Sequence, residues 1–161
     1  MAKAKPIPDL SADQPYAEAA AKVVSVRVGE LAAYAEGVLD TGDIERVHDM
    51  RVTTRRLRAA LEIFEPCFPA GTYREALAEV KRLADALGER RDRDVAIAAL
   101  HRFSDQMAAP DRRGVASLIE QLRSEQERVN RELAPLVADD QLRTLRQSMD
   151  ELVTAARGEV P

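Results

Sequence analysis

Between Arg46 and Arg58 the sequence places five arginines and a single acid, Asp49, in a chain whose formal net charge is −4. On a helix turning about 100° per residue, His48, Arg51, Arg55 and Arg58 form one stripe at i, i+3, i+7 and i+10. Guanidinium forks take phosphate or carboxylate oxygens two at a time and stay charged at any physiological pH. A row of about three turns, near 15 Å, suits a linear polyanion better than one phosphate. Like charges at these spacings cost a helix a few tenths of a kcal/mol, roughly, per pair. They therefore call for acids on neighbouring helices or for an anionic ligand, and these residues alone leave both readings open. Val47, Thr54, Leu57, Leu61 and Phe64 occupy the adjoining face, so the core seam and the basic stripe are neighbours. Arg56 falls off the stripe, roughly 80° from His48. His48 by itself reads as a hydrogen-bonded structural group or as a ligand.

A second basic set follows. Arg74 and Lys81, seven residues apart, share a helix face, opposite Leu77, Val80, Leu83, Ala84 and Leu87. After Gly88 comes Arg90-Arg91-Asp92-Arg93-Asp94. Asp92 or Asp94 near a helix start would cap it and complement its dipole. Arg91 pairs with a carboxylate or reaches the same anion as the first stripe, while Arg82 and Arg93 read as solvated.

Helices must position these groups, because every segment has the helical period and none alternates as a strand does. Residues 1–14 carry Pro6 and Pro8 and little periodicity, which predicts a flexible arm. Residues 15–157 form a single helical domain. Pro15 opens a helix to about Leu39, and the turn at Asp40-Thr41-Gly42-Asp43 supplies a cap for the next. That second helix runs from about Ile44 to Phe64 and stops before Pro66. A third opens near Thr72, with Glu75 at capping-box spacing, and ends at Gly88. A fourth covers about Asp92 to Met107, a long fifth carries Val115 to Leu133, and a sixth opens at Asp139-Asp140. The fold class is an all-α bundle of about six helices.

Composition narrows the function. With 161 residues, 45% hydrophobic and 32% charged, the chain is one globular domain. Cys67 is the only cysteine and His48 and His101 the only histidines, which leaves no disulfide and no Cys- or His-rich metal site. Neither a phosphate loop nor a nucleophile elbow nor a metalloprotease helix is present, so the expectation is a non-enzymatic protein without cofactor or metal. No run approaches the ~18 apolar residues of a membrane span, and the N-terminus lacks the apolar core of a secretory signal. The reading is cytoplasmic, with no membrane partner. The acidic total and 4% aromatic content count against a nucleic-acid binder.

Two ordered segments resemble the CHAD family, an all-helical domain named for a signature histidine. The first is Val47-His48-Asp49-Met50-Arg51-Val52 through Arg55-Arg56-Leu57-Arg58 to Leu61 and Phe64. The second is Lys81-x-Leu83-Ala84-x-x-Leu87-Gly88-x-x-Arg91-Asp92-x-Asp94-Val95. The resemblance covers about residues 40–100. It implies a helical bundle in two pseudo-symmetric halves around a basic channel that binds inorganic polyphosphate, an association with polyphosphate granules, and a polyphosphate-metabolising enzyme as partner. Carried over, His48, Arg51, Arg55 and Arg58 would line the channel, with Lys81 and Arg91 in support; Arg74 and Arg56 complete the candidate set. The chain departs from the family in size. His101-Arg102-Phe103 lacks the downstream arginine spacing of a second basic helix, so the chain reads as one half, and the expectation is a homodimer that rebuilds the channel about a two-fold axis.

Overall fold

The computed structural model describes residues 2–158. Among them are five α-helices and no strand: α1 (Tyr16–Ala33), α2 (Ile44–Ile63), α3 (Ala70–Asp105), α4 (Arg112–Leu133) and α5 (Asp139–Ala156). Single 3-10 turns at Glu65–Cys67, Ala109–Asp111 and Ala134–Leu136 each place a proline where its missing N–H costs nothing. Helices α1, α2, α3 and α5 pack around a closed ring, α1 on α2 and α5, and α3 on α2 and α5. Val24, Val28 and Leu31 of α1 meet Val47, Met50, Leu57 and Leu61 of α2 in its core. Tyr73, Val80, Leu83 and Leu87 of α3 and Leu145, Met149 and Leu152 of α5 complete it. Helix α4 lies against α3 outside the ring and sends Leu133 into the same core.

Several boundaries differ from the sequence reading. Helix α1 ends at Ala33, with Tyr34 as its C-cap, and cannot run on to Leu39, because Gly37 in the following turn takes a left-handed φ of +70°. The Arg46 guanidinium lies over that glycine and donates to the Glu36 carbonyl at 2.9 Å. A Cβ at Gly37 would meet Arg46 Nη1 at 2.9 Å, so both φ and space require glycine there. Asp43 caps α2 as expected, its carboxylate accepting from the Glu45 N–H at 3.3 Å. The capping box at Thr72 does not form, because α3 already starts at Ala70 behind Pro69, and Thr72 Oγ1 donates to the Pro69 carbonyl instead.

The largest difference is Gly88. It stops nothing: α3 runs through it for 36 residues, joining the expected third and fourth helices into one. A glycine inside a helix costs about 1 kcal/mol relative to alanine, less than the packing on either side of it returns. Asp92 and Asp94 therefore sit in mid-helix and cap nothing. The N-terminal segment is irregular, as its prolines imply, yet it is fastened to the bundle. Ala2 is buried, its N–H donating to Asp49 and its carbonyl accepting from Arg56 at 3.0 Å. The Lys5 N–H donates to buried Glu30, the Lys5 carbonyl accepts from Arg27, and the Asp9 carbonyl accepts from Lys22. Where the sequence predicts a flexible arm, side chains of α1 and α2 thus present donors and acceptors to its backbone.

Candidate functional site

Helix α2 is oriented by its apolar seam. Val47, Met50, Leu57 and Leu61 are buried, and Thr53 and Thr54 join them by donating to the Asp49 and Met50 carbonyls at 2.8 Å. That orientation fixes where the basic stripe points. Arg51, Arg55 and Arg58 line one wall of an open groove of ≈ 350 Å³ between α2 and α3. Ala84 and Gly88 of α3 form its floor, and Asp85, Glu89 and Asp92 form the other wall. Acids on a neighbouring helix were one of the two readings the sequence left open, and α3 supplies three of them.

The two walls do not close on each other. Among the described residues Arg51 and Arg55 have no hydrogen bond and no ion pair, whether with these carboxylates or elsewhere. The other arginines of the candidate set are engaged. Arg58 Nε pairs with Glu62 at 2.9 Å, one turn along its own helix, and Lys81 reaches the same carboxylate at 3.9 Å. Glu62 thus ties Lys81 of α3 to the end of the arginine row. At the other end Arg91 donates to the Ile44 carbonyl at 2.8 Å and meets Glu45 at 3.5 Å, so it stitches α3 to the start of α2. Arg74 lies apart near the start of α3 and donates to its own helix at Ala70. Arg56 is on a different face of α2 and is taken by the Ala2 carbonyl, in keeping with its place off the stripe. His48 is half-buried and does not line the groove.

A second polar cluster escaped the sequence reading. Arg90 and Asp94 are fully buried, with Arg90 Nη1 donating to both carboxylate oxygens at 2.7 and 2.6 Å. Gln126 of α4 donates to the same carboxylate at 2.6 Å. Burial pushes the Asp94 carboxyl above its usual range, against the pull of Gln126 and Arg90. Arg93, read as solvated, bridges to Glu125 at 3.7 Å. The signal for the cluster was present: Leu83, Leu87, Arg90 and Asp94 fall on one stripe at i, i+4, i+7 and i+11, visible only when the helix continues through Gly88. The cluster pins α4 to the same helix that floors the groove.

Chemically, the groove offers two free guanidinium forks, a third shared with Glu62, and a backbone-level floor. This is equipment for holding an extended anion and contains no nucleophile–base pair. No helix among the described residues is long and apolar enough to cross a membrane. A family model described as CHAD domain matches residues 22–161. The match extends past the two motif segments to include α4 and α5. No curated protein and no solved structure matches the chain.

Proposed function

The chain belongs to the CHAD family, and from that premise we propose that it is a non-enzymatic module binding inorganic polyphosphate in the groove of Arg51, Arg55 and Arg58. CHAD domains are associated with polyphosphate binding. The observation that carries the reading for this chain is the unpaired state of Arg51 and Arg55 among its described residues. Arg82, Arg143 and Arg146 are unpaired as well among the described residues, but Arg51 and Arg55 line one groove together, with acids one helix away that do not close on them. Instead both forks face open groove, one turn apart, at a spacing that successive phosphates of a linear chain can meet. Lys81 and Arg91 extend the basic row at its two ends, each already tied to a carboxylate that a phosphate would have to displace.

The groove is open on one side. A second copy would supply a further basic wall and enclose the polymer, so the proposal includes a homodimer built around two α2 helices. It further places the protein in the cytoplasm, at polyphosphate granules, beside an enzyme that makes or degrades the polymer. A second reading is favoured by the acidic wall: three arginines facing three carboxylates also suit a mixed-charge peptide, as in a helical interaction module. Nucleic acid fits less well, because no aromatic side chain lines the groove to stack a base.

The test is a titration with long-chain polyphosphate at low and physiological salt, comparing the natural protein with Arg51→Ala/Arg55→Ala. Each lost charge-assisted contact is worth roughly 1.5–3 kcal/mol, so the double variant should bind roughly 100-fold more weakly or worse while its helical content and Tm hold. Affinity of the natural protein should fall linearly with the logarithm of salt concentration. A folded natural protein that ignores polyphosphate, or a double variant that binds it equally, overturns the reading. Sedimentation with and without the polymer tests the dimer.

A further inference from the structure

Resting on the polyphosphate reading, we propose that Gly88 is a positioning residue: it keeps the groove floor at backbone level so that a slim anionic chain can lie within reach of Arg51 and Arg55. Gly88 stands in the interior of a 36-residue helix, where glycine is a poor helix former. Neither of the usual reasons for glycine applies. Its φ is not positive, unlike that of Gly37 and Gly158. A Cβ built there would meet only Arg51 Nε, at 3.9 Å, which is ordinary contact. The fold would therefore accept alanine, and helix propensity would favour it.

What a side chain longer than a methyl group would take up is the groove itself. Gly88 and Ala84, one turn apart, are the two floor residues, and the groove above them is ≈ 350 Å³. A side chain leaving Gly88 starts under the Arg51 guanidinium and extends into that space, between the arginine wall and Asp92. It would fill the place of the ligand or push Arg51 off its position. A floor with nothing larger than the Ala84 methyl group suits a polymer with no base and no sugar, whose phosphates run unbroken along the groove.

The experiment compares Gly88→Ala and Gly88→Leu with the natural protein, measuring Tm and the affinity for long-chain polyphosphate in parallel. Both variants replace glycine by a better helix former, so Tm should hold or rise in both. Alanine should bind within about threefold of the natural protein, and leucine at least about tenfold more weakly, about 1.4 kcal/mol. If leucine prevents folding, Gly88→Gln carries the same test with a flexible polar side chain. Leucine or glutamine binding as well as glycine overturns the role of Gly88 and leaves the polyphosphate reading intact. Alanine failing as badly as leucine also overturns it, because open space would then not be what glycine supplies. Failure of the folded natural protein to bind overturns the polyphosphate reading itself, and this inference with it.

Discussion

Arg90→Met should destabilise the protein by about 3–5 kcal/mol at neutral pH, the usual consequence of removing one partner from a buried ion pair. The structure supports the upper part of that range. Arg90 is 0% and Asp94 1% exposed, and one guanidinium nitrogen holds both carboxylate oxygens. Without it the carboxylate keeps only the neutral Gln126 amide at 2.6 Å. For a chain of this length the loss corresponds to a fall in Tm of roughly 10 °C. The pH dependence has a definite sign. Burial raises the folded Asp94 carboxyl above its ordinary 3.8, so in that window the folded state holds a proton that the unfolded chain releases. Asp94's contribution to stability is then greatest in acid and declines as pH climbs through the raised folded value. Arg90→Met removes a cause that pulls this value down, so the window moves further up, and the variant's deficit should shrink as pH is lowered into it. The double variant Arg90→Met/Asp94→Leu should recover most of the loss, since well-packed apolar replacements of buried pairs are often neutral or stabilising. Arg90 Nε and Nη2 lack partners even in the natural protein, which favours that recovery. Urea unfolding followed by far-UV circular dichroism over a pH series measures all of this. A single variant within about 1 kcal/mol of the natural protein, or a deficit that does not change with pH, would refute the reasoning.

Arg56→Ala should release the N-terminal segment, raising amide exchange at residues 2–14 and costing about 1–2 kcal/mol, while polyphosphate affinity stays unchanged; a large loss of affinity would return Arg56 to the site. The triple neutralisation Asp85→Asn/Glu89→Gln/Asp92→Asn should tighten polyphosphate binding, most at low salt, because it removes the negative wall opposite the arginines. Weaker binding after that change would mean the carboxylates orient Arg51 and Arg55. Asp43→Ala should cost about 1 kcal/mol of stability through loss of the α2 cap, read by urea unfolding, without affecting ligand titrations.

The all-α class was legible in the sequence because amphipathic period is a local property: the apolar stripes at Val24–Leu31, Val47–Leu61, Val80–Leu87 and Leu145–Leu152 are the observed core. The arginine stripe was legible for the same reason, since α2 geometry alone sets Arg51, Arg55 and Arg58 on one side and Arg56 on another. The error at Gly88 has a physical cause. A glycine after a periodic run is a common helix end, and whether it ends a given helix depends on packing against α2 and α4, which no local pattern reports. A break there makes Asp94 a capping candidate and gives Arg90 no role, although continued periodicity places both on the buried face. The contacts of the N-terminal segment were likewise not legible, because they depend on Asp49, Arg56, Glu30 and Arg27 from helices further along the chain.

By itself, then, the sequence determined the all-α class, which helix faces are apolar, and which arginines of α2 can act together. Only the tertiary structure decided what those arginines face. Charge partners across helices depend on crossing geometry and on which wall of α3 turns toward α2. That geometry set Asp85, Glu89 and Asp92 opposite the row, left Arg51 and Arg55 unpaired among the described residues, tied Arg58 and Lys81 to Glu62, and put Gly88 on the floor between them.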